Sequence, residues 1–158
     1  LAAELIDRLR HHQPRLRLPR AAARTLSALR RDGWRVGVLT NGQPTIQRRK
    51  VDALGLASHV DAIVYAAACG RGLGKPEPEA FAEIARRIQV PALRTVFVGD
   101  DERCDVQGAI DAGMRAVRCR VWTRADGPTA AAATIDRLTQ IPAVAHALLE
   151  EAPNRHAA

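Results

Sequence analysis

Aromatic residues make up only 3% of the 158-residue chain, so its core must be built from Leu, Val, Ile and Ala rather than around stacked rings. No apolar run approaches the roughly 20 residues that a membrane-spanning helix needs, and no signal peptide opens the chain. A membrane is therefore excluded as a partner. Cysteine is scarce as well: Cys69, Cys104 and Cys119 are odd in number and widely spaced, with no C-x-x-C pair and no His at ligand spacing. That pattern argues against a zinc site and a disulfide framework, and it fits a reduced, cytoplasmic interior. The first residue is Leu1 rather than Met, and the natural start is expected upstream.

Lysine is nearly absent. Two lysines, Lys50 and Lys75, stand against 22 arginines, and the formal net charge is +7. A basic chain invites a nucleic-acid reading, because clustered cations neutralise phosphates. These arginines do not cluster. They are spread over nearly every segment, as a compositional bias with solvated helix faces would spread them, and nucleic acid is excluded as a partner. The same bias makes Lys75 informative as a place where a compact, strongly hydrated ammonium is wanted.

The length fits one domain. The spacing of Leu1, Leu5 and Leu9 predicts an amphipathic helix over residues 1–12, followed by an extended linker bounded by Pro14 and Pro19. Residues 1–18 are thus set apart from a core over 19–152, with a polar tail at 153–158. Within the core, residues 20–33 predict a helix closed at Gly33. Four short segments rich in Val and Ile, 34–40, 60–66, 94–99 and 115–122, read as buried strands. Between them lie predicted helices at 45–54, 78–88 and 105–112, and a last one follows at 142–151. The stretch "GPTAAAAT" (127–134) reads as a small-residue connection. Strand alternating with helix predicts an α/β fold in which a parallel sheet is covered on both faces.

In such a sheet, ligands gather beyond the carboxyl ends of the strands. Three segments carry polar groups there. "LTNGQP" offers the Thr40 hydroxyl, the Asn41 amide and the Gly42 backbone just before a helix, an arrangement that suits a phosphate and would equally serve as a helix cap. "GLGKPEPEAF" holds Lys75 between glycines and prolines, where an ammonium can neutralise a phosphate or an anionic nucleophile; the alternative, a lysine exposed in a surface turn, is disfavoured by the rigid flanks. "VFVGDDERCD" sets Asp100, Asp101 and Asp105 around one small volume, with Asp105 beginning the next helix. Like charges so close repel, and a divalent cation relieves them; oxygen-only ligands favour Mg²⁺, while the alternative is that Asp105 caps the helix and the other two face solvent.

These three stretches resemble motifs of the haloacid dehalogenase-like (HAD) superfamily. "VGVLTNG" is similar to its second motif, "GLGKPEPEAF" to its third and "VFVGDDERCDVQGAIDAGM" to its fourth, so the likeness spans about residues 20–122. The resemblance implies a Rossmann-like three-layer sandwich with a mainly parallel sheet. It also implies that residues 1–12 correspond to the last helix of an inserted cap. Thr40, Asn41 and Gly42 would bind the transferring phosphoryl group, and Lys75 would be catalytic by offsetting charge on the nucleophile and the phosphate. Asp100 and Asp105 would serve a Mg²⁺ ion, with Asp101 in a lesser role. The partner would be a small phosphorylated metabolite.

One feature of the family is missing. Its nucleophile is an aspartate in a D-x-D-x-T/V segment on the central strand, and a second aspartate two residues on acts as general acid. No D-x-D occurs in this sequence. In the family sheet that strand lies between those ending here at Thr40 and Gly99, and without it the centre of the core stays open. The expectation is therefore the C-terminal part of a Mg²⁺-dependent phosphatase, inactive as the chain stands. Alternatives are a non-catalytic binding or scaffold module, and a phosphomutase or dehalogenase branch. A response-regulator receiver is set aside, because its acid pair precedes its Thr and Lys in sequence.

Overall fold

A computed structural model describes residues 14–123 and 127–150 of the chain. The expected helix over 1–12 and the tail at 153–158 lie outside the described residues. Residues 14–19 run without regular structure into α1 (Arg20–Arg31), as their two prolines require. The described elements then alternate as β1 (Gly37–Thr40), α2 (Pro44–Leu54), β2 (Ala62–Tyr65), α3 (Pro78–Ile88) and β3 (Val96–Gly99). A wide turn at Glu102–Gln107 leads into α4 (Gly108–Asp111), followed by β4 (Arg115–Cys119), β5 (Ala133–Ile135) and α5 (Ile141–Glu150).

Local chemistry explains the boundaries. Pro44 and Pro78 each enter a helix in its first turn, where the missing N–H costs nothing. Gly55 ends α2 in a left-handed conformation at φ 63°. α3 turns Ala80, Phe81, Ile84 and Ile88 inward at helical spacing. Asp61 ties the starts of β1 and β2 together, its Oδ2 accepting the Val36 N–H at 2.8 Å and its Oδ1 the Arg35 guanidinium at 3.3 Å.

Among the described residues all strand pairs are parallel, as the alternation predicts. Two features differ from the sequence reading. The strands form two sheets, β1-β2 and β3-β4-β5, rather than one. A fifth strand, Ala133–Ile135, begins where the small-residue connection was expected to end; Ile135 is fully buried, and pairing with β4 rather than local propensity makes this segment a strand.

Helices cover both faces. Phe81, Ile84, Ile88, Val106 and Ala109 pack with Leu39, Val64 and Ala116 on the α3 side. Ile141, Val144 and Leu148 of α5 pack with Val117, Cys119 and Ile135 on the other. Between β1 and β3 lies an apolar slot of about 320 Å³, lined by Leu29 of α1, Ile84 and Ile88 of α3, Ile141 of α5, and strand residues including Leu39 and Val98. Val36 turns its carbonyl to Asp61 on the β2 side, so strand alternation turns the Gly37 and Leu39 backbones the other way, into the slot. Thr95 turns its carbonyl to Arg115 on the β4 side, so Val96 and Val98 face the slot from across it. Two strand edges thus face each other through an apolar gap.

Candidate active site

Lys75 stands over the mouth of this slot. Gly74, at φ +76°, makes the turn that presents it, and Asn41 grips its backbone from both sides. Asn41 Oδ1 accepts the Lys75 N–H at 2.7 Å, and Asn41 Nδ2 donates to the Lys75 carbonyl at 3.0 Å. The ammonium reaches the Leu39 carbonyl at 3.4 Å and Asp105 Oδ1 at 2.5 Å, with the Phe97 ring centroid 5.4 Å away. It therefore links the carboxyl end of β1 to the turn after β3. The side chains of Lys75 and Asp105 are only 10% and 7% exposed, which excludes a freely solvated lysine in a surface turn.

The acidic stretch divides its carboxylates. Asp101 caps the wide turn, accepting the Cys104 N–H at 2.5 Å, and that bond holds its carboxyl below the ordinary value. Burial, then the neighbouring Asp101 carboxylate, pushes the Cys104 thiol up. The Val106 N–H bonds the Asp101 carbonyl five residues back at 3.1 Å, so the turn is of the rare π type. The extra residue brings Asp105 back beneath the loop, where Oδ2 accepts the N–H groups of Asp100 at 3.0 Å and Asp101 at 3.2 Å. Gly99 is obligatory here, since a Cβ would collide with Asp105. Asp100 is left exposed at the end of β3.

Several expectations change at residue level. Asp105 does not begin a helix; it sits inside a π turn whose cap is Asp101. Both of its oxygens are engaged within the protein, Oδ1 by the Lys75 ammonium and Oδ2 by the Asp100 and Asp101 N–H groups. Neither Thr40 nor Asn41 caps α2, because the residue before the helix is Gln43 and it makes no side-chain cap. The Asn41 side chain holds the Lys75 loop, a task that sequence spacing does not reveal. Gln47 was missed altogether: its Oε1 accepts the Thr40 hydroxyl at 3.3 Å, and its Nε2 lies where a Cβ at Gly42 would fall, 2.8 Å away. Its place in the first turn of α2, just past "TNG", was the available signal.

The donors suit a hard cation in kind. Asp100 offers an exposed carboxylate at the end of β3, an oxygen donor of the kind that a hard cation takes. They are few in number, since the described residues hold no group of three His, Cys, Asp or Glu that could bind a metal. No described helix is long and apolar enough to cross a membrane.

Similarity to known proteins bears on the family and the fold. The family model for haloacid dehalogenase-like hydrolase matches residues 5–113. Phosphoserine phosphatase of Thermus thermophilus is 34% identical over 129 residues, which cover 82% of this chain and 51% of that protein. Glyceraldehyde 3-phosphate phosphatase of Methanopyrus kandleri is 38% identical over 96 residues, 61% of this chain and 40% of the relative. Among solved structures, a 2-haloacid dehalogenase from Pseudomonas syringae pv. Tomato DC3000 superposes with a TM-score of 0.68 at 35% identity, covering 81% of this chain and 53% of that one. The chain spans about half or less of the length of these curated relatives. With a family model matched over more than half of its residues and an α/β fold of the same kind, the chain belongs to the haloacid dehalogenase-like hydrolases.

Proposed function

We propose that these residues form part of a Mg²⁺-dependent phosphatase acting on a small phosphomonoester. The observation that carries the reading is the position of Lys75, which bridges the Leu39 carbonyl and Asp105 across the mouth of an empty apolar slot. A strand filling that slot in parallel would bond Gly37 and Leu39 on one side and Val96 and Val98 on the other. Its carboxyl end would emerge beside Lys75, Thr40 and Asp100. An aspartate there supplies the nucleophile that these 158 residues lack.

The reaction is then an in-line displacement. A carboxylate oxygen of the incoming aspartate bonds to phosphorus, the ester P–O bond breaks, and the alcohol leaves with a proton from the second aspartate of that strand. Water hydrolyses the aspartyl-phosphate to release inorganic phosphate. In this chain, the Thr40 hydroxyl and the Asn41 and Gly42 N–H groups hold the phosphoryl oxygens at the α2 N-terminus. Lys75 offsets the charge on nucleophile and phosphate while Asp105 fixes its ammonium. Asp100 would hold the Mg²⁺, whose chemistry is to neutralise phosphoryl charge. The two curated relatives carry phosphatase names, which favours this branch, while the Pseudomonas syringae neighbour carries a dehalogenase name.

The 158-residue chain is expected not to hydrolyse p-nitrophenyl phosphate with Mg²⁺. Clear turnover that Asp100→Asn abolishes would refute the need for an added strand. Coding sequence upstream of Leu1 that reads as an apolar strand ending in D-x-D-x-T/V would support the reading, and an initiating Met just before Leu1 would sink it.

A further inference from the structure

Arg118 is the exception among the described arginines. It is 5% exposed, in the central strand of the β3-β4-β5 sheet and in register with Gly99, the residue before Asp100. Its Nη1 donates to the Gly127 carbonyl at 2.9 Å and approaches the Pro128 carbonyl at 3.4 Å. The same Nη1 lies 3.5 Å from Glu102 Oε2, in the acidic turn. Glu102 Oε1 accepts the Ala130 N–H at 2.8 Å, and this bond foremost holds the Glu102 carboxyl below its ordinary value. Glu102 Oε2 and Arg118 Nε are buried and make no hydrogen bond, so charge rather than hydrogen bonding joins the pair.

We propose that Arg118 and Glu102 are positioning residues for Asp100, anchoring the acidic turn from the β4 side as Lys75 anchors it from the β1 side. The turn carries Asp100, Asp101, Glu102 and Asp105 within six residues, a run that repels itself. Lys75 takes up Asp105, Arg118 takes up Glu102, and the Cys104 N–H takes up Asp101. Asp100 and Asp101 are both exposed, and of the four it is the Asp100 carboxylate that is left without such a contact among the described residues. A single atom, Arg118 Nη1, meets two carbonyls and a carboxylate and so ties the acidic turn to the Gly127–Pro128 stretch. The proposal rests on the reading of Asp100 as the metal-holding residue.

Amide hydrogen exchange by NMR on the 158-residue chain tests the anchor without any turnover. The Asp105 and Val106 N–H groups, both bonded to the Asp101 carbonyl, report whether the turn is closed. Arg118→Met is compared with Val117→Ala, a buried neighbour that packs on the opposite face, at matched global stability. Exchange at these two amides is expected to be about tenfold faster or more in Arg118→Met than in Val117→Ala, because the opening is local. Glu102→Gln, which keeps an acceptor for Ala130, should show part of the effect, and Arg118→Lys less than Arg118→Met. Equal rates in Arg118→Met and Val117→Ala overturn the proposal. Mn²⁺ alone, as a line-broadening probe, should act on the Asp100 amide at lower concentration in the parent than in Arg118→Met. Identical Mn²⁺ dependence in the two would make Arg118 merely structural and overturn its positioning role. If Mn²⁺ leaves the parent's Asp100 amide untouched, the metal reading of Asp100 fails, and the exchange comparison alone decides the anchor.

Discussion

Lys75 and Asp105 are the residues whose exchange for others should be felt most. Each side chain is nearly buried and each is the other's counter-charge. Lys75→Met leaves a buried carboxylate with no cation, and such a loss is expected to cost about 3–5 kcal/mol in urea unfolding. Adding Asp105→Asn to Lys75→Met should cost clearly less than the sum of the two single changes, because the second removes the charge that the first left stranded. Additive losses would show that the pair does not act as a unit. The bias toward arginine in this chain made Lys75 legible from composition alone. It also hid Arg118, which counts as one more arginine until its burial is seen.

At the scale of elements, two contacts set how strands and helices meet. Asp61 joins the entries of β1 and β2, and the Val36 N–H foremost, with Arg35 beside it, holds its carboxyl below the ordinary value of 3.8. A carboxyl depressed in the folded state adds stability that is full above 3.8 and is lost as pH falls through the folded value. The stability gap between the parent and Asp61→Asn should therefore be constant near neutrality and close under acid, which denaturation at a series of pH values will follow. Gly108, at the start of α4, lies against Phe81: a Cβ there would fall 2.8 Å from the Phe81 ring and 3.1 Å from Pro76 Cα. Gly108→Ala should destabilise by roughly 1–3 kcal/mol through overpacking, although alanine is the better helix former. A stability gain in thermal unfolding would contradict this packing.

For the whole molecule, the slot between β1 and β3 is the governing feature. Two parallel strands whose inner backbone groups face an apolar gap of about 320 Å³ leave both hydrogen bonds and packing unmade. The chain alone is expected to bind an apolar dye such as anilinonaphthalene sulfonate. A longer version carrying a slot-filling strand should lose that binding and unfold at higher temperature. Equal dye binding by both versions would mean that the strand does not enter the slot. Trp34 lines the gap and offers a native fluorescence signal for the same comparison.

Hydrophobic period, turn glycines and prolines were enough to read α3 at Pro78–Ile88 to the residue, the four principal strands to within a few residues, and the alternation that makes the sheet parallel. These are local properties, written in side-chain spacing and in which residues tolerate a bend. The stretches around Thr40, Lys75 and Asp100 were legible too, because chemistry at strand ends needs particular residue types close together in sequence. What tertiary structure decided was the division of labour among them. Asn41 turned to the Lys75 backbone, Asp105 turned inward to its ammonium, β5 formed because β4 offered it an edge, and Arg118 was buried against Glu102. Each depends on a partner 16 to 34 residues away, and which partner lies within reach is fixed only when the strands assemble.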